Sequence, residues 1–336
     1  MSDEKTAGSR RQKTDWAKPN SAEFSLPRLG FHPGSDVAAL SPSSSLITHH
    51  SSLTSQHSGR EAWRLIPPTA FDGPENMAID EALLTLIGDG ASPPTLRFYT
   101  WRSPWISLGT SQSARDLDAT ALAVRGWGVL RRSSGGTAVL HKEQLGYAVI
   151  LPASHPLWEG DLASSYRRLA EPLALGFARL GARTEPAPPA LKAEFAAEAP
   201  PIAARVCFSA LGPYELLDCH GRKIIGNSQV RRRASALQHG TIQVSGSQCE
   251  IADVLANATA TDRCHLRSYL STHVGSVEEA AGRRLATTDV VEALTAAFEE
   301  VLGVRLVDGE LTDDERRVAA ELVEAKYGDP NWAFRR

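Results

Sequence analysis

RVCFSALGPYELLDCHGRKIIGNSQVRRRASALQHGTIQV, residues 205–244, is the stretch from which the rest of the chain is read. Cys207 precedes an apolar run ending near Leu217, Asp218 to Gly221 read as a turn, and Arg222 to Gln229 restart an extended segment. This pattern predicts a β-hairpin with Cys207 and Lys223 on neighbouring strands. A thiol beside an ammonium is a way to make a nucleophile, because positive charge stabilises the thiolate. On an ordinary hairpin the same pair is a packed thiol and a solvated amine, and spacing alone favours that plainer reading.

Composition narrows the function classes. With 336 residues, 42% hydrophobic and 22% charged, the chain can bury a sizeable core as one main domain with an appendage. Its 36 basic and 39 acidic residues give a net charge of -3, which excludes a global attraction to nucleic acid or to an anionic membrane. A local basic patch at Arg231, Arg232 and Arg233 remains available for docking or as a solvated strand end. Cys207, Cys219, Cys249 and Cys264 form no CxxC pair and no metal-ligand spacing with histidine, so no metal site or disulfide framework is expected. Free thiols fit a reducing cytoplasm, and the last three read as incidental. No apolar run approaches the roughly 18 residues of a membrane span.

Along the chain, residues 1–60 hold thirteen serines, four histidines and no lasting period, and read as a disordered tail or an overlong reading frame. Five acidic residues there argue against a transit peptide. From Trp63 a strand, a turn and a helix over 74–87 follow, with Asp80 and Glu81 read as polar first-turn residues rather than active-site carboxylates. Strands are expected at 95–101 and 105–110, joined by a Pro-containing turn, and a buried strand at 144–152. GVLRRSSGGTAVLH, 128–141, reads as two β-prone runs around a glycine turn whose amides can face an oxyanion, a carbonyl or a phosphate. It is neither a Walker loop nor a dinucleotide fingerprint. Leu162, Tyr166, Leu169, Leu173, Phe177 and Leu180 mark an amphipathic helix. Residues 185–201 read as a mobile loop leading into Cys207, 249–257 as a short helix, and 288–302 and 312–327 as helices. The implied boundaries are a tail at 1–60, a catalytic domain at 61–265 and a small helical region at 266–336.

These motifs together resemble the lipoate-assembly acyltransferase and ligase family of the biotin and lipoate protein ligase superfamily, specifically its cysteine-dependent octanoyltransferases. The resemblance rests on VCF, YEL, GRKIIGNSQ and LQHG, on NMAIDEAL at 76–83, on RRSSGG with its following Val and His141, and on the terminal KYGDPNWAFRR. It implies a mixed, largely antiparallel central sheet flanked by helices. It matches Cys207 to the acyl-accepting cysteine and Lys223 to the active-site lysine. Arg131, Arg132, Ser134, Gly135, Gly136, His141, Gly226 and His239 match substrate-site positions, with His141 either a general base or a structural support of the glycine loop. Gly109 and Gln112 fall near the implied acyl pocket.

The implied reaction takes an octanoyl group from octanoyl-acyl carrier protein, through a thioester on Cys207, to the lysine of a lipoyl domain or a glycine-cleavage H protein, with no metal and no nucleotide. An ATP-dependent lipoate ligase is the first alternative, and Leu145, Gly146 and Tyr147 depart from its pattern. A non-catalytic lipoyl-domain binding protein is the second, against which the presence of both Cys207 and Lys223 argues.

Overall fold

The computed structural model describes residues 59–335, so the expected 1–60 tail lies outside the described residues but for its last two. The elements, in chain order, are β1 (Ala62–Phe71), α1 (Gly73–Gly88), β2 (Thr95–Trp101), β3 (Trp105–Leu108), α2 (Ala119–Arg125), β4 (Gly128–Arg131) and β5 (Val139–His141). There follow β6 (Leu145–Pro152), α3 (Leu162–Arg179), β7 (Thr184–Pro186), α4 (Pro189–Glu198), β8 (Leu216–Asp218), β9 (Ile225–Arg231) and β10 (Ser235–Ile242). The chain closes with α5 (Ala260–His273), α6 (Val277–Ala281), α7 (Thr287–Leu302), β11 (Arg305–Asp308), α8 (Asp313–Leu322) and α9 (Pro330–Ala333).

A six-stranded sheet in the order β11-β1-β2-β6-β10-β9 forms the centre. It is mixed: β1 runs parallel to both β11 and β2, while β2-β6, β6-β10 and β10-β9 are antiparallel. The register of β1 slips between Ile66 and Thr69, where Pro67 and Pro68 have no N–H to give the ladder. Strand β6 shows why its sequence is a continuous apolar run. Leu145, Tyr147, Val149 and Leu151 face a core built with α3 and α7, while Ala148 and Ile150 face the opposite core under α1. Helix α1 is buried over most of its circumference because α8 covers the side the sheet does not. Residues 266–336 contribute β11 to the sheet edge as well as helices, and α7 packs along α3.

A second, three-stranded sheet, β4-β3-β5, carries the glycine loop. The expected hairpin over 128–141 is replaced by a different pairing: β3 lies between its two arms, parallel to β4 and antiparallel to β5. The loop between them is therefore a crossing rather than a tight turn. Likewise β2 and β3 do not pair; each joins a different sheet.

The 205–229 hairpin is also corrected. Cys207–Ser209 is a single 3-10 turn, β8 is only three residues long and pairs with β7, and Lys223 makes isolated bridges to Leu217 and Val274. Pro213 lacks an amide proton and Tyr214 takes a positive φ of 55°, so no continuous strand can pass through this segment. Residues 189–198, expected as loop, form α4, whose Phe195 is buried against α5.

Candidate active site

The face of β9 and β10 and the edge of the smaller sheet bound a cleft of about 380 Å³, its open mouth included. Its floor is Gly226, Asn227 and Ser228 of β9 with His239, Gly240 and Thr241 of β10, and Met77, Tyr99 and Trp101 close one end. Ser107, Arg132, Val139 and His141 come from the smaller sheet, and Cys207 stands at its lip. Alternation explains the floor: Gly226 pairs with Thr241 and Ser228 with His239, so all four point to one face.

Cys207 is half-buried, and its N–H donates to the Ala138 carbonyl at 2.9 Å, tying the sulfur-bearing turn to the strand that follows the glycine loop. A β-carbon at Gly226 would stand in ordinary contact with the sulfur at 3.7 Å and press on the Phe208 ring at 3.3 Å.

Lys223 reaches the turn differently from the expectation. Its Nζ donates to the carbonyls of Cys207 (3.0 Å) and Ala210 (2.8 Å) and pairs with Glu215 Oε2 at 2.7 Å. Lysine and carboxylate are 1% and 5% exposed. Three protons and three acceptors make Lys223 the clasp of the cysteine turn. Glu215 was missed as a site residue, although its YEL motif was legible; it also accepts from the Gly212 N–H at 2.7 Å.

Arg132 lines the same cleft as Cys207. Burial lowers its proton affinity, while Cys207, then Tyr99 and Tyr166, raise it again. All five N–H protons have acceptors, on the carbonyls of Ser107, Gly135 and Thr137 and on Ser107 Oγ, and among the described residues no carboxylate pairs with it. The N–H groups of Gly135 and Gly136 donate to nothing among the described residues, and Gly136 takes φ 88°. Arg131, in contrast, does not line the cleft. It grips the carbonyls of Gly109 (2.7 Å), Gln112 (2.6 Å) and Ala333 (2.9 Å), so it ties the C-terminal segment to the loop after β3. Of the basic triplet, Arg232 is spent on Glu81 at 2.6 Å and Arg231 on Ser165 and the Trp158 carbonyl.

Two imidazoles enter the cleft on different supports. His141 stacks on Trp101 at 3.9 Å, and its Nε2 lies 2.7 Å from Ser107 Oγ. Burial, then the charges of Arg132 and His239, hold its pKa well below 6.5. Folded His141 therefore stays neutral where an unfolded imidazole takes a proton. The unfolded chain binds more protons below pH 6.5, so this group's contribution is full above that value and declines as pH falls toward the lowered folded value. The expected slope is about 1.4 kcal/mol per pH unit inside that window. Urea denaturation from pH 7.5 to 5 measures it, and a His141→Gln variant with an unchanged slope would contradict the assignment.

His239 has a carboxylate behind it. Its Nδ1 is 3.0 Å from Asp80 Oδ2, its Nε2 is 2.6 Å from Ser134 Oγ, and Asp80 Oδ1 accepts from Arg97 at 2.6 Å. Asp80 lies beyond the second turn of α1, buried, so its reading as a first-turn residue is corrected. Glu81 is likewise no first-turn residue; it joins Arg232, Lys326 and Tyr327 and fastens α1 to the C-terminal segment.

Comparison with known proteins agrees with this architecture. The structure of a bi-partite lipoate protein ligase from Thermoplasma acidophilum superposes with a TM-score of 0.67 at 22% identity, covering 82% of this chain and 96% of that one, which speaks to the fold. The model of the lipoyl protein ligase A/B catalytic domain matches residues 72–299, and the chain belongs to that family. Within it, octanoyltransferase LipM of Kyrpidia tusciae is 37% identical over 277 residues, 82% of this chain and 100% of the relative. Octanoyltransferase LipM of Moorella thermoacetica is 38% identical over 277 residues, with 82% and 99% covered. No helix among the described residues is long and apolar enough to cross a membrane.

Proposed function

We propose that this chain is an octanoyltransferase of lipoate assembly that takes the acyl group from octanoyl-acyl carrier protein onto Cys207 and passes it to the lysine of a lipoyl domain. The observation that carries the reading is the cysteine: it stands at the lip of the cleft, with its turn clasped by Lys223, in a chain whose relatives over their full length are named octanoyltransferases. In the first step the Cys207 thiolate attacks the thioester carbonyl, a new C–S bond forms, and the carrier leaves as its thiolate. One thioester replaces another, so the step needs a nucleophile and an oriented carbonyl rather than an energy source. Lys223 clasps the turn that carries the sulfur, and buried Arg132 lines the same cleft. The unpartnered N–H groups of Gly135 and Gly136 suit the oxyanion of the tetrahedral intermediate. The acyl chain binds toward Met77, Tyr99 and Trp101, worth roughly 0.8 kcal/mol per buried methylene. In the second step the lysine amine displaces the sulfur, and an amide replaces a thioester.

Intact-mass measurement after mixing with octanoyl-acyl carrier protein tests this. The wild type is expected to gain an octanoyl adduct that hydroxylamine removes and to pass it to a lipoyl domain without ATP, and Cys207→Ser to form at most a stable ester. Modification that requires ATP, magnesium and a free acid would assign a ligase instead. Full transfer by Cys207→Ala would end the reading.

A further inference from the structure

A thioester carried on another protein has to be held while it reaches Cys207, and the C-terminal segment builds a surface suited to that task. Phe334 is 49% exposed, and with Ala114, Leu117 and Ala119 it lines a groove of about 750 Å³, its open mouth included. Arg115 and Arg335 complete the lining. From Ala119 the wall continues as α2, whose exposed residues Ala119, Thr120, Ala123 and Val124 carry no charge. Val124 is 83% exposed, so an aliphatic side chain and a phenyl ring both stand out toward solvent here.

The charges left at the edge of the groove are of one sign. Asp118 spends its carboxylate on the N–H groups of Thr120 and Ala121, at 2.9 and 3.0 Å. Asp116 is engaged by Gln112 at 3.1 Å and Arg205 at 3.7 Å. Neither arginine has a carboxylate partner among the described residues. The Arg115 side chain makes no hydrogen bond or ion pair among them at all. The Arg335 guanidinium lies 3.7 Å over the Trp332 ring and donates to Thr110, at 3.1 Å to its carbonyl and 3.0 Å to Oγ1. A ring face and two neutral oxygens fix its position without cancelling its charge, so a partner carboxylate meets a cation already in place.

The wall of the groove is also tied to the cleft. The Thr110 N–H donates to the Ser134 carbonyl at 2.8 Å, where the glycine loop begins. Gln112 Nε2 donates to the Arg205 carbonyl at 3.0 Å, two residues before Cys207. A protein seated in the groove thus lies against the segment that supports both the glycine loop and the approach to the cysteine. Of the two substrates, the acceptor presents a lysine ammonium, which a pair of arginines repels. The donor presents none.

We propose that this surface, Phe334 and α2 rimmed by Arg115 and Arg335, docks the acyl carrier protein through an acidic, amphipathic face of that donor. This deepens the octanoyltransferase reading and rests on it. Apolar side chains of the carrier cover Phe334 and Val124, and its carboxylates meet the two guanidinium groups.

The test reads loading and transfer separately. Wild type, Arg115→Glu, Arg335→Gln, Val124→Asp and the double variant Arg115→Glu with Arg335→Gln are loaded at rising concentrations of octanoyl-acyl carrier protein, in low and in high salt. The adduct is followed by intact mass. Glutamine at 335 keeps a donor for Thr110 while it removes the charge. In low salt the double variant is expected to raise KM for the carrier roughly tenfold or more, with the saturating loading rate close to that of wild type. Val124→Asp should act in the same direction. High salt should raise the wild-type KM far more than that of the double variant, because exposed charges are screened. Transfer from the loaded enzyme to a lipoyl domain should be unchanged throughout. Variants whose KM for the carrier matches wild type would overturn the docking surface. So would a fall in the saturating rate at unchanged KM, the mark of a structural disturbance. A loss confined to the transfer step would give the surface to the acceptor and overturn it equally. Absence of any adduct on wild type is a different outcome, and it refutes the octanoyltransferase reading instead.

Discussion

Lys223→Met is expected to lose stability on the order of 3–5 kcal/mol and to abolish loading of Cys207. The reason is the Glu215 carboxylate, 5% exposed, which would stay buried without its cation. Methionine matches the lysine stem in reach, so the loss is one of charge and hydrogen bonds rather than volume. Loading fails because the carbonyls of Cys207 and Ala210 lose the donor that fixes their turn. The double variant Lys223→Met with Glu215→Leu isolates the two effects: it removes the stranded carboxylate and should recover much of the stability, yet not the loading. Urea denaturation and intact-mass loading read each arm. A single variant as stable as wild type, or a double variant that loads normally, would refute the clasp.

Gly109→Ala carries the next largest effect. Its β-carbon would fall 1.8 Å from the Gly136 carbonyl oxygen and 2.7 Å from the Gly136 carbon, a collision with backbone that no side-chain rotation relieves. Arg131 holds Gly109 from behind through its carbonyl, so the loop at 134–136 has to move. That loop carries the unpartnered amides and Ser134, and a displacement near 1 Å at such a site costs on the order of 10² in rate. Gly59→Ala, where nothing stands within 4 Å, is the matched control. Transfer by Gly109→Ala within a few-fold of wild type would show that the loop tolerates the shift.

What could be read in advance followed locality. Strand β6 and helix α3 were legible because each advertises its burial in its own period, two-sided apolar for the strand and one-sided for the helix. Lys223 reaches the Cys207 carbonyl and His239 reaches Ser134 of the glycine loop, and neither connection was legible. Whether β4 pairs with β5 or with β3 is settled by partners distant in sequence, and alternation alone is indifferent to the choice. Asp80 was misassigned because a carboxylate near a helix start has a cheap local explanation, and its buried partners lie 17 and 159 residues away. Glu215 suffered the same way, lying beside the apolar positions of an expected strand. Arg131 and Arg132 are adjacent and chemically alike, and only the fold sends one to the C-terminal segment and the other to the cleft.

The pairing of β1 with β11, and the hold of Arg131 on the Ala333 carbonyl, put late-made residues beneath early-made ones. During synthesis the loop after β3 waits for more than two hundred further residues before its support leaves the ribosome. Nascent chains stalled short of that point should have the cysteine already made and still decline the acyl group.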